Sequence, residues 1–443
     1  MDDEVGFLGM ALGGHARNSV LRTLLLKRLL NPGARASFAV AMALQVILSI
    51  FLAHGYDFRV EYVAGRNIVD GLSPYSGGAV TGWMALGYGA QVQGIGETPL
   101  WALYLGLCYF LSSGQPFMFN FLCKIPIVAA NMALAYFVRS WGARGWRFFL
   151  FNGYLILTSV TWGKPDNLAT ILAIVALIGT DSATSSAFLL STSLMVKPLA
   201  VLILPAFFLR LRTETKQWTA KFVIETSAFS TAMFLGSFII FGWPLETVTN
   251  GSVSWLGHAG ALSPFNVLAV VYGTEQLLTG LWWAGYLAPF CILVLAVYAI
   301  VRAPQSILRY ALLSSAIFLT VRPWNSEQNL VILLTLFIFL REELPSMWLW
   351  VIPMLFAIAN NSLQQQLYLL RPTIIDELNR LYAPVNTLRL WLRFFLSLAW
   401  LAVLWLNVAS LFGRKTRSSV LQCRGVSRRF SSPRRPQADA RSP

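Results

Sequence analysis

The chain has 443 residues, 56% of them hydrophobic and 12% charged, with a mean hydropathy of +0.61 and a formal net charge of +15. Soluble domains carry roughly a quarter charged residues, so this chain has about half the usual solvating side chains, which excludes a soluble enzyme. Aromatic residues at 14% exclude disorder, and continuous apolar runs in place of short alternating segments exclude a β-barrel, leaving an all-α polytopic membrane protein.

Asp2, Asp3 and Glu4 have the wrong sign for the start of a signal peptide, so no cleaved leader is predicted. Residues 18–30 (NSVLRTLLLKRLL) are basic and amphipathic, and residues 1–35 read as a cytoplasmic segment lying on the membrane surface. Apolar stretches follow near 36–53, 98–112, 117–138, 147–161, 167–180, 184–209, 222–242, 281–302, 307–321, 328–340, 346–360 and 388–412. They predict about twelve transmembrane helices within a membrane domain spanning 36–413. The basic N-terminal segment, the connection holding Arg210, Arg212, Lys216 and Lys221, and the basic tail all orient as cytoplasmic. The long connections 54–97, 243–280 and 361–387 then fall outside, where loops carrying amphipathic helices can hold chemistry.

One conflict arises. If every segment crosses, Arg139, Arg144 and Arg147 lie outside, against the positive-inside rule. The stretches 98–112 and 147–161 are short, and a partial insertion of one would reverse the parity, and with it the side that Asp166 faces.

The first outer loop opens HGYDFRVEY, with Tyr56, Asp57, Arg59 and Glu61 directly after the first span. Asp57 and Glu61 are four apart, and Val60, Val63, Ile68, Val69 and Leu72 follow at helical spacing. A surface helix with its polar face toward a cavity fits this pattern; a helix cap or interfacial charge is the plain alternative. Next, WGKPDN breaks two apolar runs and offers Asp166, otherwise a turn with a helix cap. Lys197, followed by Pro198 inside an apolar stretch, is costly in lipid and should face a cavity, a partner or an anion; a snorkelling lysine is the alternative. His258 stands in the second long outer loop. The turn RPWNSEQN then presents Arg322, Asn325 and Glu327 at the boundary where a lipid phosphate resides.

The cysteines Cys108, Cys123, Cys291 and Cys423 show no metal or disulfide spacing. No phosphate-binding glycine loop, HExxH or GxSxG motif is present, so cytosolic nucleotide chemistry has no support. Residues 414–443 hold nine Lys/Arg against Asp439 and read as a disordered cytoplasmic tail, not a nucleic-acid arm.

In this order, the Asp57 segment with its DGLSPY closure (Asp70 to Tyr75), ETPLWALYL (Glu97 to Leu105), WGKPDNLATILAIVAL and SLMVKPLAVLILP (Ser193 to Pro205) resemble the GT-C superfamily of integral-membrane glycosyltransferases. The nearest flavours are glycosyltransferase family 87 and the GPI-type mannosyltransferases, and the likeness covers mainly residues 36–210. The resemblance implies a GT-C-like core, Asp57 as general base toward an acceptor hydroxyl, and Asp166 as a second acidic position near the same outer cavity. It further implies a polyprenyl-phosphate sugar donor, a glycolipid or glycan acceptor, and inverting transfer of one sugar, mannose being expected, on the non-cytoplasmic face of the cell membrane. The sequence has no Asp-x-Asp pair in either place, so no metal ligand is assigned, and dependence on a divalent cation is left open.

The chemistry also follows from physics. A lipid-phosphate sugar needs a membrane groove, a cation for its phosphate and a carboxylate base nearby. Lys197, Arg59 or Arg322 can supply the cation, and Tyr56, Tyr62, Tyr75 and Trp255 can stack on sugar faces. The rivals are a lipid or sugar transporter or flippase, for which no repeat between the halves is visible, and a polymer-export protein that binds sugar without catalysis.

Overall fold

The computed structural model describes residues 32–246, 260–272, 284–302, 306–341 and 345–413. The amphipathic 18–30 stretch, Trp255, His258, Cys423 and the basic tail lie outside the described residues. The described residues are all-α apart from two-residue strand pairs. Four helices are long and apolar enough to cross a membrane by length and composition: Pro32–Phe51, Pro116–Ser140, Lys216–Phe241 and the continuous stretch Ile374–Phe412. Seven shorter apolar helices accompany them, as expected of a membrane bundle.

Helix α1 (Pro32–Phe51) ends just before α2 (Gly55–Val69), the surface helix expected from the Asp57 segment. It is more deeply covered than that pattern suggested, with Phe58, Val60, Val63 and Ala64 all buried. A small antiparallel pair, β1 (Gly78–Ala79) with β2 (Gln91–Val92), closes the following loop.

Helix α3 (Pro99–Ser112) occupies the apolar stretch 98–112. It runs antiparallel beside α2: Tyr62 meets Tyr109 at 5.1 Å, and a Cβ on Gly65 would lie 2.7 Å from the Leu105 carbonyl. A Cβ on Gly106 would likewise meet Ile68 at 2.6 Å, so glycine on each helix permits this close approach. Both ends of α3 stay at the Asp57 end of the bundle. Glu97, before it, reaches Lys164, and Asn120, just after it, donates to the carbonyls of Ser49, Ile50 and Leu52 at the end of α1.

Helix α4 (Pro116–Ser140) therefore starts beside the end of α1 and carries Arg139 to the opposite end, where Arg139 and Arg147 both stack on Trp146. The chain returns through helical turns and a π-helix (Ile156–Thr161) to Trp162, reverses, and descends as α5 (Asp166–Ile174). Helix α6 (Ala183–Val196) climbs back to Lys197, and a 3-10 turn leads into α7 (Leu204–Thr213). This is a correction: the 184–209 stretch is a hairpin of two helices. Lys197 stands at its bend beside Asp166, while Arg210, at the far end, caps the carbonyls of Ala176, Leu177 and Thr180. Proline at 198 removes a donor and favours the bend at that place.

The rest of the bundle comprises α8 (Lys216–Phe241), α9 (Ala284–Val301), α10 (Ile307–Val321), α11 (Leu330–Arg341), α12 (Trp348–Ala359) and α14 (Asn386–Gly413), with the short amphipathic α13 (Ile374–Tyr382) before α14. A parallel pair, β3 (Gly260–Ala261) with β4 (Trp324–Asn325), links the second long loop to the turn after α10. At mid-depth, Gln45, Asn131 and Asn167 form a chain of amide hydrogen bonds across α1, α4 and α5. Gln45 and Asn167 also donate to the Leu150 and Ile127 carbonyls, which settles donors that lipid cannot satisfy.

Candidate functional site

The two reversals place the polar motifs at one end of the bundle. Lys164 Nζ lies 2.9 Å from Asp57 Oδ1, 2.7 Å from Glu97 Oε1 and 3.5 Å from Glu61 Oε1. Asp57 Oδ2 accepts from Trp162 Nε1 at 2.5 Å and meets His54 Nδ1 at 2.8 Å. The imidazole stacks on the Trp162 indole with ring centroids 4.2 Å apart. Local sequence explains the convergence. The i, i+4 spacing puts Asp57 and Glu61 on one helical face, and Gly163, at φ +96°, allows the sharp turn that points Lys164 at them.

Lys124, one helical turn beyond Asn120, donates to the carbonyls of Leu52 and Thr161. It binds the end of α1 to the end of the π-helix, where a cation complements the unpaired carbonyls. The loop at 361–370 covers the same end: Ala53 N–H donates to the Gln366 carbonyl at 2.8 Å, and Thr161 donates to the Gln366 side chain.

Electrostatics separates the acids. Burial alone would raise Asp57, but the Lys164 ammonium and the His54 contact hold its carboxyl well below the usual carboxylate range. Burial pushes Glu61 up, to about 8, against the pull of Lys164, and Glu97 and Asp57 add to the rise. Lys164 is also desolvated, yet its three carboxylates hold it well above the ordinary lysine value. Asp57 thus stays charged, while Glu61 carries a proton at neutral pH.

A second group adjoins through the same turn. Lys197 Nζ lies 2.5 Å from Asp166 Oδ2. With its amide oriented to suit both neighbours, Asn329 donates to Asp166 Oδ1 at 3.0 Å and accepts from Arg322 at 3.2 Å. Two cations therefore converge on one carboxylate, and the Lys197 side chain keeps 18% of its exposure.

Of the residues singled out in the sequence, Asp57, Glu61, Asp166, Lys197 and Arg322 enter these groups. Tyr56 is half-buried and flanks Asp57 in the chain, its ring 6.1 Å from Tyr88. Arg59 turns the other way, donating to the Gly89 carbonyl and stacking over Tyr88 at 5.0 Å, so it braces the loop and does not serve the charge cluster. Tyr75 lies stacked on Phe238 at 5.7 Å and edge-on to Trp243, committed to packing against α8. Asn325 is buried, its amide 3.4 Å from the Leu262 and Leu319 carbonyls. Glu327 is buried and its backbone carbonyl accepts from Tyr154 at 2.5 Å. The sequence reading missed His54, Glu97, Trp162, Lys164 and Asn329 as site members, although each lies within or beside a quoted motif. Among the described residues, no group of three or more His, Cys, Asp and Glu is placed to hold a metal ion.

No family model, curated protein or solved structure matches this chain.

Proposed function

We propose that this protein is an integral-membrane glycosyltransferase that moves one sugar from a polyprenyl-phosphate donor to a lipid or glycan acceptor. Mannose is the expected sugar and inversion the expected outcome. The observation that carries the reading is the pairing, at one end of an apolar bundle, of an ionised and partly exposed carboxylate, Asp57, with the cations Lys197 and Arg322 around Asp166. Charges are expensive there and are kept where substrate or ion is handled. Asp57 would drive deprotonation of the acceptor hydroxyl, and Lys197 and Arg322 would stabilise charge gathering on the departing phosphate. The family resemblance of the Asp57, WGKPD and MVKP segments supports the same assignment.

We also assign twelve crossings, with 98–112 removed from the sequence-based set and 184–209 divided at Lys197. Both termini would then be cytoplasmic, Arg139, Arg144 and Arg147 would join Arg210 inside, and Asp57 and Asp166 would share the non-cytoplasmic face. The mid-depth Gln45, Asn131 and Asn167 chain is bonded across three helices, which suits a static bundle better than a transporter's moving path.

The test is transfer by the reconstituted protein from radiolabelled polyprenyl-phosphate sugars to a lipid acceptor, with Asp57→Ala beside wild type. Transfer by wild type and its loss in the variant is expected. Undiminished transfer by the variant removes Asp57 from the chemistry, and no transfer from any donor returns the protein to the transporter class.

A further inference from the structure

We infer that His54 and Asp57 act as a carboxylate and imidazole pair in which His54 Nε2, rather than Asp57, takes the proton from the acceptor hydroxyl. The inference rests on the sugar-transfer reading above and relocates its proton acceptor.

Asp57 is poorly placed to accept a proton itself. Its Oδ1 is held by Lys164 at 2.9 Å, and its Oδ2 by Trp162 Nε1 at 2.5 Å and His54 Nδ1 at 2.8 Å. Each of these bonds favours the charged carboxylate, and a general base works best when its proton affinity matches the ambient pH. A carboxylate so engaged is suited to orienting a neighbour.

His54 is the neighbour oriented. An ionised carboxylate has no proton to give, so a 2.8 Å contact with Nδ1 places the proton on that nitrogen. The competing arrangement, Nδ1 accepting from the Asp57 backbone N–H, spans 3.5 Å and is the weaker bond. With Nδ1 protonated, the lone pair of neutral imidazole sits on Nε2. Every polar contact of His54 among the described residues is made through Nδ1, none through Nε2. The ring is fixed on two sides, stacked at 16° to the Trp162 plane and attached at the N-cap of α2. The His54 side chain is buried at 8% exposure, and the Asp57 carboxylate beside it is more open at 17%.

The step balances with donor and acceptor alone. The acceptor O–H bond breaks and its proton goes to Nε2, while the oxygen forms a bond to the anomeric carbon. The bond from that carbon to the phosphate oxygen breaks, and its electron pair leaves with the phosphate. The resulting imidazolium is paired with Asp57 and later returns its proton to water.

His54→Asn keeps an N–H toward Asp57 but has no base at the Nε2 position, and His54→Ala leaves room for added imidazole. In the reconstituted full chain we expect His54→Asn to lower kcat by about 100-fold or more with donor KM little changed. Imidazole should restore turnover to His54→Ala. Wild-type turnover in His54→Asn, or no response of His54→Ala to imidazole, overturns the proposal. A second measurement needs no substrate: nitrogen NMR of 15N-histidine-labelled protein, which has three histidines, should show His54 with Nδ1 protonated and should lose that form in Asp57→Asn. The opposite tautomer in wild type overturns the pair. The expected tautomer in a protein that transfers no sugar leaves the pair standing and sinks the sugar-transfer reading instead.

Discussion

Lys164 Nζ sits 2.9 Å from Asp57 Oδ1, and this contact ties α2 to the turn between two helices of the bundle. The same ammonium reaches Glu97 at 2.7 Å, so three stretches of chain meet on one cation. Removing it would leave Asp57 and Glu97 without their shared counter-charge in a desolvated place. Breaking one partner of a buried ion pair costs about 3–5 kcal/mol. We expect Lys164→Met to fall in that range by thermal unfolding in detergent micelles, with Lys164→Arg far less affected. An unfolding temperature for Lys164→Met equal to that of wild type would show that the contact contributes nothing.

Glu61 makes stability depend on pH in the unusual direction for a carboxylate. Its value rises from 4.5 to about 8 on burial, so the folded state binds more protons than the unfolded chain between those limits. The stabilising effect is complete below about 4.5, declines as pH rises, and is gone above about 8. Wild type should therefore lose thermal stability across this window, and Glu61→Gln should flatten the decline and be the more stable protein above its upper end. Parallel curves for the two proteins would contradict the assignment.

Gly163 holds a backbone conformation that other residues rarely adopt, φ +96°, and a Cβ there would stand 3.2 Å from Lys124 Cε. Left-handed geometry costs an ordinary residue roughly 1–2 kcal/mol. Gly163→Ala should show a loss of that size in unfolding measurements. It should also lower transfer more than stability, since the turn aims Lys164 and Trp162 at Asp57. A fully stable and active variant would mean that the turn has freedom the described geometry does not show.

Lys197 and Arg322 offer a separable test of the phosphate role. Both approach Asp166, Lys197 directly at 2.5 Å and Arg322 through Asn329. Each alanine substitution should lower kcat/KM for a lipid-phosphate sugar by about 100-fold, the scale for removing one group that stabilises developing charge. Inhibition by the released polyprenyl phosphate should weaken in step. Normal kinetics in both variants would move the phosphate elsewhere in the protein.

Much of this site could be read in the sequence. Asp57, Glu61, Asp166, Lys197 and Arg322 stood out because a charge is rare in so apolar a chain, and the i, i+4 spacing of the first two correctly joined them on one helical face. What could not be read was parity. Residues 99–112 have the composition of a span, but glycines at 65 and 106 let that helix lie along α2, and hydropathy carries no term for such packing. The bend at Lys197 was hidden for a related reason, because two short helices of similar composition read as one long stretch. Arg59 and Tyr75 stand apart from the charge cluster because neither the helical face nor the partner in a distant helix is encoded in residue type. Lys164 was passed over as part of a turn, although a lysine two residues from Asp166 is the signal that would have found it.

The corrected path makes an expectation about sides that needs no activity. Ser76 is exposed in the loop that follows α2, at the Asp57 end, and Gln217 is exposed at the start of α8, at the Arg210 end. Cys108 and Cys123 are buried, so replacing Cys291 and Cys423 by serine leaves a background of low thiol reactivity. In intact cells a membrane-impermeant maleimide should label Ser76→Cys and spare Gln217→Cys, which should react only after the membrane is opened. A single cysteine at Gln115, exposed between α3 and α4, would decide the segment: labelling from the Ser76 side fits a helix that does not cross. If 99–112 did cross, position 115 would react from the Gln217 side, and the charge cluster uniting Asp57 with Lys164 could not exist as described, because its members would stand on opposite faces of the membrane.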